Sequence, residues 1–103
     1  MRGAVFRLKT PHDSRGHERS GAWYGVVVQS DLMPLSTWLV APTSTSARPA
    51  SFRPEVEVLG ELTRVLVEYT AAIDPERLDG AAGRLTYGEL RQVDAALRLM
   101  LAL

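Results

Sequence analysis

The chain has 103 residues, of which 46% are hydrophobic and 23% are charged, and it contains no cysteine. This length and composition are typical of one globular domain, so we expect a single domain over residues 1–103. The composition excludes a disulfide framework, and no apolar run approaches the ~20 residues that span a bilayer.

Charge is divided unevenly along a chain of net charge zero. Residues 1–53 hold seven Lys/Arg and three Asp/Glu, whereas residues 54–103 hold five and nine. The excess of basic residues in the first half indicates a nucleic-acid partner only locally, and a solvated surface explains it equally well. Charges interrupt the first residues too early for a secretory signal, so we expect a cytoplasmic protein with no membrane partner.

The first half of the chain predicts three strands. Residues 4–9 alternate, with Phe6 and Leu8 on one face and Arg7 and Lys9 on the other, which is typical of a half-buried strand. Residues 22–29 contain three consecutive valines and predict a strand that is buried on both faces. Residues 36–41 form the third predicted strand, which we expect the following proline to end.

The second half predicts shorter elements and one helix. The run Glu55-Val56-Glu57-Val58 alternates like an edge strand, and residues 63–69 predict another strand. An acid followed by proline at residues 74–75 predicts one helical turn, and residues 84–85 a last extended piece.

A capping box at Thr86 and Glu89 predicts a helix that runs to about residue 101. Its apolar stripe consists of Leu90, Val93, Leu97 and Met100, and Asp94 and Arg98 have the spacing of an ion pair. Several short strands followed by a terminal helix predict a small curled sheet or barrel capped by helices.

The sequence offers little for metal or cofactor chemistry. His12 and His17 lie near Asp13 and Glu18, but no cysteine or third histidine completes a strong ligand set. Glycine-rich phosphate loops and serine nucleophile elbows are absent. We therefore expect neither a metal nor a cofactor.

A metal-free set of Arg, His, Glu and Ser/Thr suits the cleavage of RNA, whose 2′-OH is its own nucleophile. The loop at residues 15–21 offers these residue types, and Trp23 and Tyr24 offer aromatic faces for an unstacked base. The alternative is structural: solvated loop residues, a Trp23 that fills the core, and a Thr43 whose hydroxyl caps the backbone.

At these residues the sequence resembles the MazF/PemK-like toxins of toxin–antitoxin modules over nearly its whole length. The resemblance consists of motifs that occur in the family's order and spacing. They are Arg2-Gly3-Ala4-Val5, Arg15-Gly16-His17-Glu18-Arg19-Ser20-Gly21, Val26-Val27-Val28-Gln29-Ser30-Asp31, Val40-Ala41-Pro42-Thr43-Ser44, Val65-Leu66-Val67-Glu68, Ile73-Asp74-Pro75-Glu76-Arg77-Leu78 and Val93-Asp94-Ala95-Ala96-Leu97.

This resemblance implies an SH3-like β-barrel with a C-terminal helix that forms a homodimer. It also implies a metal-independent, sequence-selective endoribonuclease that cuts RNA and arrests growth. The expected products carry a 2′,3′-cyclic phosphate and a free 5′-OH. A cognate MazE-like antitoxin is expected to wrap the dimer and occlude the RNA site.

The family's catalytic Thr/Ser carries over to Thr43. Its catalytic arginine does not, because Trp23-Tyr24 stands in place of an Arg-Pro pair. A tryptophan cannot brace phosphate oxygens as a guanidinium does, so we expect Arg19 or Arg15 to supply the cation and His17 to shuttle a proton. The residues expected to bind RNA are Glu18, Trp23, Tyr24, Ser44, Arg48 and Tyr69, and Trp23 and Tyr24 are expected to favour splayed loops of structured RNA. Tyr69 replaces a glutamine that often occurs in the family.

Two other functions stay open. The gyrase-inhibiting CcdB toxins share the barrel and act by binding protein, although this chain ends in Met100-Leu101-Ala102-Leu103 and not in their tryptophan-containing tail. A degenerate member that binds RNA or antitoxin without cutting is the other alternative, because of Trp23.

Overall fold

The computed structural model describes residues 1–9 and 23–103. Within them the chain is mainly β with one C-terminal α-helix, as the sequence predicts. The strands are β1 (Ala4–Leu8), β2 (Trp23–Val27), β3 (Trp38–Ser44), β4 (Glu55–Val58), β5 (Glu61–Val65), β6 (Ala71–Ile73) and β7 (Leu78–Arg84), and the helix is α1 (Tyr87–Leu101). Two 3-10 helices, Val67–Tyr69 and Pro75–Arg77, flank β6. None of the helices in the described ranges is long and apolar enough to cross a membrane.

The strands form one antiparallel sheet in the order β4-β5-β3-β2-β1-β7, and β6 pairs with β3. The valine-rich β2 lies between β1 and β3, and Val26, Val27 and Val28 are all buried. The prediction of a strand buried on both faces is therefore confirmed. The alternating β4 lies at the edge of the sheet with its glutamates exposed, also as predicted.

The main core lies between one face of the sheet and α1. Val5 of β1, Val26 of β2 and Ala41 of β3 are paired in register and lie side by side on this face. From the helix, Val93 and Ala96 are fully buried against it. Burial of these apolar side chains stabilises the fold by about 25 cal/mol for each Å² removed from water.

The third strand does not end at Pro42, as the sequence had led us to expect. It continues to Ser44, because Pro42 is where the strand changes partners. Residues before it pair with β2 and β6, and Thr43 and Ser44 pair with β5. The missing N–H of Pro42 falls at the end of the β2 ladder, while its carbonyl accepts a hydrogen bond from the Leu66 amide at 2.8 Å.

Two further expectations were wrong in their bounds. The strand expected at residues 63–69 begins earlier, at Glu61, and gives way to a 3-10 helix after Val65. The last extended piece is a seven-residue strand, β7, in which Gly80 and Gly83 adopt φ of 90° and 113°. These left-handed conformations suit glycine and accompany the irregular pairing of β7 with β1.

The capping box of α1 is formed, and it also fastens the helix to the sheet. Thr86 Oγ1 accepts a hydrogen bond from the Glu89 amide at 3.1 Å, and the Thr86 amide donates to Glu89 Oε1 at 2.8 Å. The second oxygen, Glu89 Oε2, accepts from the Glu57 amide at 2.8 Å. One carboxylate thus joins the start of the helix to β4, the edge strand of the sheet.

The middle of α1 is attached to the N-terminal segment. Asp94 pairs with Arg2, whose Nη2 lies 2.6 Å from Asp94 Oδ1, and not with Arg98 as its spacing predicted. Arg2 Nε also donates to the Val28 carbonyl at 2.9 Å. A hydrogen bond from the Met1 ammonium group holds the pKa of the Asp31 carboxyl below its usual value.

The apolar stripe of α1 is confirmed for three of its four members. Leu90, Val93 and Leu97 pack on the core, whereas Met100 is 38% exposed and the neighbouring Leu101 is exposed as well. The last turn of the helix therefore lies outside the buried core.

We expect Glu89→Ala to lower the free energy of unfolding by about 1–3 kcal/mol, because it removes two acceptors from backbone amides at a helix start and a sheet edge. Urea unfolding measures this loss. The matched control is Glu76→Ala, an exposed acid in a 3-10 helix, for which we expect a change within about 0.5 kcal/mol. Equal effects of the two variants would contradict the role of Glu89.

Two glycines of opposite environment give a second test. A Cβ on Gly25 would lie 2.4 Å from Val40 Cγ1, so Gly25→Ala is expected to cost about 1–3 kcal/mol through overpacking. A Cβ on Gly88 in α1 would meet nothing within 4 Å, and Gly88→Ala is expected to stabilise by up to about 1 kcal/mol. Thermal unfolding of both variants checks the opposite signs.

Candidate active site

The site that the sequence predicts centres on the end of β3 and the start of β2. These ends are neighbours because the strands run antiparallel with Gly25 opposite Pro42. Tyr24 precedes Gly25 in β2, and Thr43 follows Pro42 in β3. Thr43 Oγ1 donates a hydrogen bond to the Tyr24 carbonyl at 3.3 Å. The fold thus brings together two segments that are nineteen residues apart.

Thr43 is a buried hydroxyl at 6% exposure, held from both sides of its strand. Its backbone pairs with Val65 of β5, and its side chain bonds to Tyr24 of β2. A hydroxyl has two lone pairs in addition to its proton, so this bond leaves acceptor capacity on Oγ1.

The residues predicted for one site divide between the two faces of the sheet. Side chains alternate along a strand, so Thr43 and Tyr24 share one face, while Ser44 and Trp23 lie on the other. Ser44 Oγ accepts from the Ser46 amide at 3.3 Å, a local turn contact. Trp23 is half-buried and lies opposite Leu8 of β1.

Arg48 and Tyr69 lie on two segments that Arg53 joins. The sequence did not predict Arg53 as a site residue. Arg53 Nε and Nη2 both approach Glu68 Oε2, at 2.8 and 2.7 Å, and its Nη1 donates to the Arg48 carbonyl at 3.2 Å. Tyr69 follows Glu68 and is 62% exposed. The side chain of Arg48 is exposed too.

A second arginine extends this network to the end of β3. Arg64 is paired with Ser44 in the sheet, and its Nη1 donates to the Arg53 carbonyl at 3.0 Å. Its Nη2 lies 3.7 Å from Glu55 Oε2. Arg53, Arg64 and Glu68 have no common motif or periodic spacing, so sequence reasoning had no signal with which to pair them.

Four of the predicted site residues, Arg15, His17, Glu18 and Arg19, lie outside the described residues. In sequence, the segment that carries them lies between Lys9 and Trp23, and so directly precedes the strand that contains Tyr24. In the part of the chain that the structure describes, no three His, Cys, Asp or Glu side chains are grouped so that they could hold a metal ion.

Comparison with known proteins identifies the family. The family described as "PemK-like, MazF-like toxin of type II toxin-antitoxin system" matches residues 1–101. The chain belongs to this family. The resemblance inferred from the motifs is thereby confirmed.

A curated protein that is similar in sequence to this PemK/MazF-like chain comes from Mycobacterium tuberculosis (strain ATCC 25618 / H37Rv). It carries the name "Putative toxin Rv3098A/RVBD_3098A" and is 51% identical over 73 residues, which are 71% of this chain and 69% of the relative.

Solved structures show the same fold. One, named as an endoribonuclease in complex with its cognate antitoxin from a Mycobacterial species, aligns with a TM-score of 0.82 at 16% identity and covers 100% of this chain and 95% of that chain. Another, the Mycobacterium tuberculosis toxin MazF-mt6, aligns with a TM-score of 0.77 at 17% identity and covers 97% of each chain. The predicted MazF-like architecture, a curled and mainly β fold with one C-terminal helix, is therefore confirmed.

The ion pair of Arg53 and Glu68 can be tested against its weaker neighbour. We expect Glu68→Gln to cost about 1–3 kcal/mol of stability, because both side chains are largely buried and Arg53 would lose its charged partner. Glu55→Gln is the control: Glu55 is half exposed and 3.7 Å from Arg64, so we expect a change within about 0.5 kcal/mol. If the two variants unfold at the same urea concentration, the predicted difference in stability between the two ion pairs is wrong.

Proposed function

We propose that this chain is the toxin of a type II toxin–antitoxin module and acts as a metal-independent, sequence-selective endoribonuclease. Its substrate is single-stranded or loop RNA in mRNA, rRNA or tRNA, and cleavage arrests translation and growth. Support comes from membership of the PemK/MazF-like family and from the names of the structures that share its fold.

The observation that carries the proposal is the position of Thr43. It is a hydroxyl of low exposure at the point where β3 leaves β2, and it is bonded to the carbonyl of Tyr24, which in sequence follows the segment that holds the predicted Arg, His and Glu. The packed strand holds this hydroxyl in place, as a rigid scaffold does for a group that takes part in binding or chemistry.

The reaction requires little from the protein. The 2′-hydroxyl gives its proton to a base and its oxygen forms a bond to phosphorus, while the bond from phosphorus to the 5′-oxygen breaks and the 5′-oxygen takes up a proton from an acid. The products are a 2′,3′-cyclic phosphate and a 5′-OH. A base, an acid and a cation accelerate such a step, and we assign these roles to His17 and to Arg15 or Arg19, with Thr43 placed at the phosphate.

The remaining site residues are assigned to RNA binding. Trp23, Tyr24 and the exposed Tyr69 offer aromatic faces to unstacked bases, and Arg48 offers a solvent-exposed charge for a phosphate. Glu18 and Ser44 complete the set as acceptor and hydroxyl.

The toxin is further proposed to be a cytoplasmic homodimer that a MazE-like antitoxin inhibits. Exposed apolar side chains support association with other chains. A depression of about 140 Å³ is lined by the exposed Met1, Met33 and Leu35 together with Val27, Pro34, Trp38 and polar residues. We propose that a second subunit or the antitoxin binds this surface.

Cleavage is tested on total cellular RNA in excess EDTA, with mapping of new 5′ ends. We expect discrete ends that bear 5′-OH groups. Thr43→Val, which removes the hydroxyl and keeps the shape, is expected to lower the cleavage rate about 100-fold or more, the range for losing one placed catalytic group.

Thr63→Val is the matched control for this substitution. Thr63 is also 6% exposed, but its hydroxyl has no hydrogen-bond partner among the described residues. We expect this variant to cleave at the parental rate and to be at least as stable as the parent, because an unpaired buried hydroxyl is removed. Equal losses in both variants would indicate damage to the fold and not a role for Thr43.

Trp23 supports the runner-up function, a degenerate member that binds RNA or antitoxin without cutting. Folded protein that produces no new 5′ ends would favour it, and Trp23→Arg then tests whether a guanidinium restores cleavage. Inhibition of gyrase supercoiling would instead favour a poison that acts by binding protein.

A further inference from the structure

A row of side chains crosses four strands on the face that carries Thr43. Arg7 of β1 is paired with Tyr24 of β2, and Thr43 of β3 is paired with Val65 of β5. Tyr24 and Thr43 close the row through the hydrogen bond between the Thr43 hydroxyl and the Tyr24 carbonyl. Directly opposed residues in an antiparallel sheet project to the same side, so Arg7 and Thr43 share a face.

Arg7 is an exposed guanidinium with no hydrogen bond or ion pair to the residues that the structure describes. Three other arginines of the described residues are engaged. Arg2 is bound to Asp94, Arg53 to Glu68, and Arg64 to the Arg53 carbonyl. The charge of Arg7 is therefore available to a ligand.

The separation also suits a ligand that contacts both groups. Neighbouring strands lie about 4.8 Å apart, so the backbones of Arg7 and Thr43 are separated by roughly 10 Å across β2. The long arginine side chain shortens this gap. Trp23 is less well placed, because its side chain lies on the opposite face of β2.

From this register we propose that Arg7 binds a backbone phosphate of RNA that is seated against Thr43. This inference rests on the proposed function and adds to it a positive contact from the rigid sheet, separate from the cations of residues 15–19. A guanidinium suits this role because it stays charged and offers paired donors to phosphate oxygens.

The test measures binding without cleavage. The probe is a short fluorescein-labelled oligonucleotide pool of random sequence with 2′-O-methyl groups, whose blocked 2′ oxygens cannot attack. Its affinity for the parent, Arg7→Gln, Arg7→Lys and Arg98→Gln is followed by fluorescence polarisation between roughly 50 and 200 mM salt. Arg98 is the matched control, an exposed arginine that lies with Arg2 at the other end of β1.

We expect Arg7→Gln to weaken binding about 3- to 10-fold and to reduce the slope of log Kd against log salt by about 0.7, the value for one phosphate contact to a single strand. Arg7→Lys should keep the parental slope, and Arg98→Gln should change neither quantity. Because the exposed Arg7 side chain makes no hydrogen bond or ion pair to the described residues, its variants should unfold at the parental temperature.

The outcomes separate this inference from the function on which it rests. If the parent binds the probe and Arg7→Gln keeps the parental slope, or if Arg98→Gln reduces it equally, the assignment of Arg7 is wrong. If the parent binds no probe and cuts no RNA, the proposed function fails, and the assignment fails with it.

Discussion

The fold depends on one strand that pairs with different partners along its length. Before Pro42, β3 is bound to β2 and β6, and after Pro42 it is bound to β5. Proline has no N–H to donate, so it is tolerated where a ladder ends, and its carbonyl still accepts from Leu66. This change of partner curls the sheet and carries the β4–β5 hairpin away from β2.

The same change of partner creates the candidate site. Where β3 leaves β2, the last pair of residues no longer completes a backbone ladder, and the hydroxyl of Thr43 binds the Tyr24 carbonyl in its place. A side chain that satisfies a backbone acceptor is fixed in orientation. The hydroxyl that we propose to be catalytic therefore lies at a corner of the sheet, where it also satisfies a backbone carbonyl.

Charged groups on α1 secure two strands of the curled sheet. Glu89 binds the edge strand β4 and the helix start with the same carboxylate, and Asp94 binds Arg2 at the start of β1. Packing of Val93 and Ala96 supplies apolar burial but little directionality. The hydrogen bonds and the ion pair specify which part of the helix lies against which strand.

Local sequence determined much of this protein. The valine run, the alternating β4, the capping box and the acid–proline helical turn each depend on residues within one element, so their patterns were interpretable without the fold, and the ordered motifs sufficed to recognise the family. Tertiary structure alone decided the rest. It decided that β3 extends through Pro42 and that Trp23 and Thr43 lie on opposite faces of the sheet. It also decided two ion pairs between residues distant in sequence, Asp94 with Arg2 and Arg53 with Glu68. The two ion pairs depend on how α1 and the 3-10 helix pack on the rest of the chain. The extension of β3 and the separation of Trp23 from Thr43 depend on strand register, in which a shift of one residue moves a side chain to the other face, and no local pattern encodes that register.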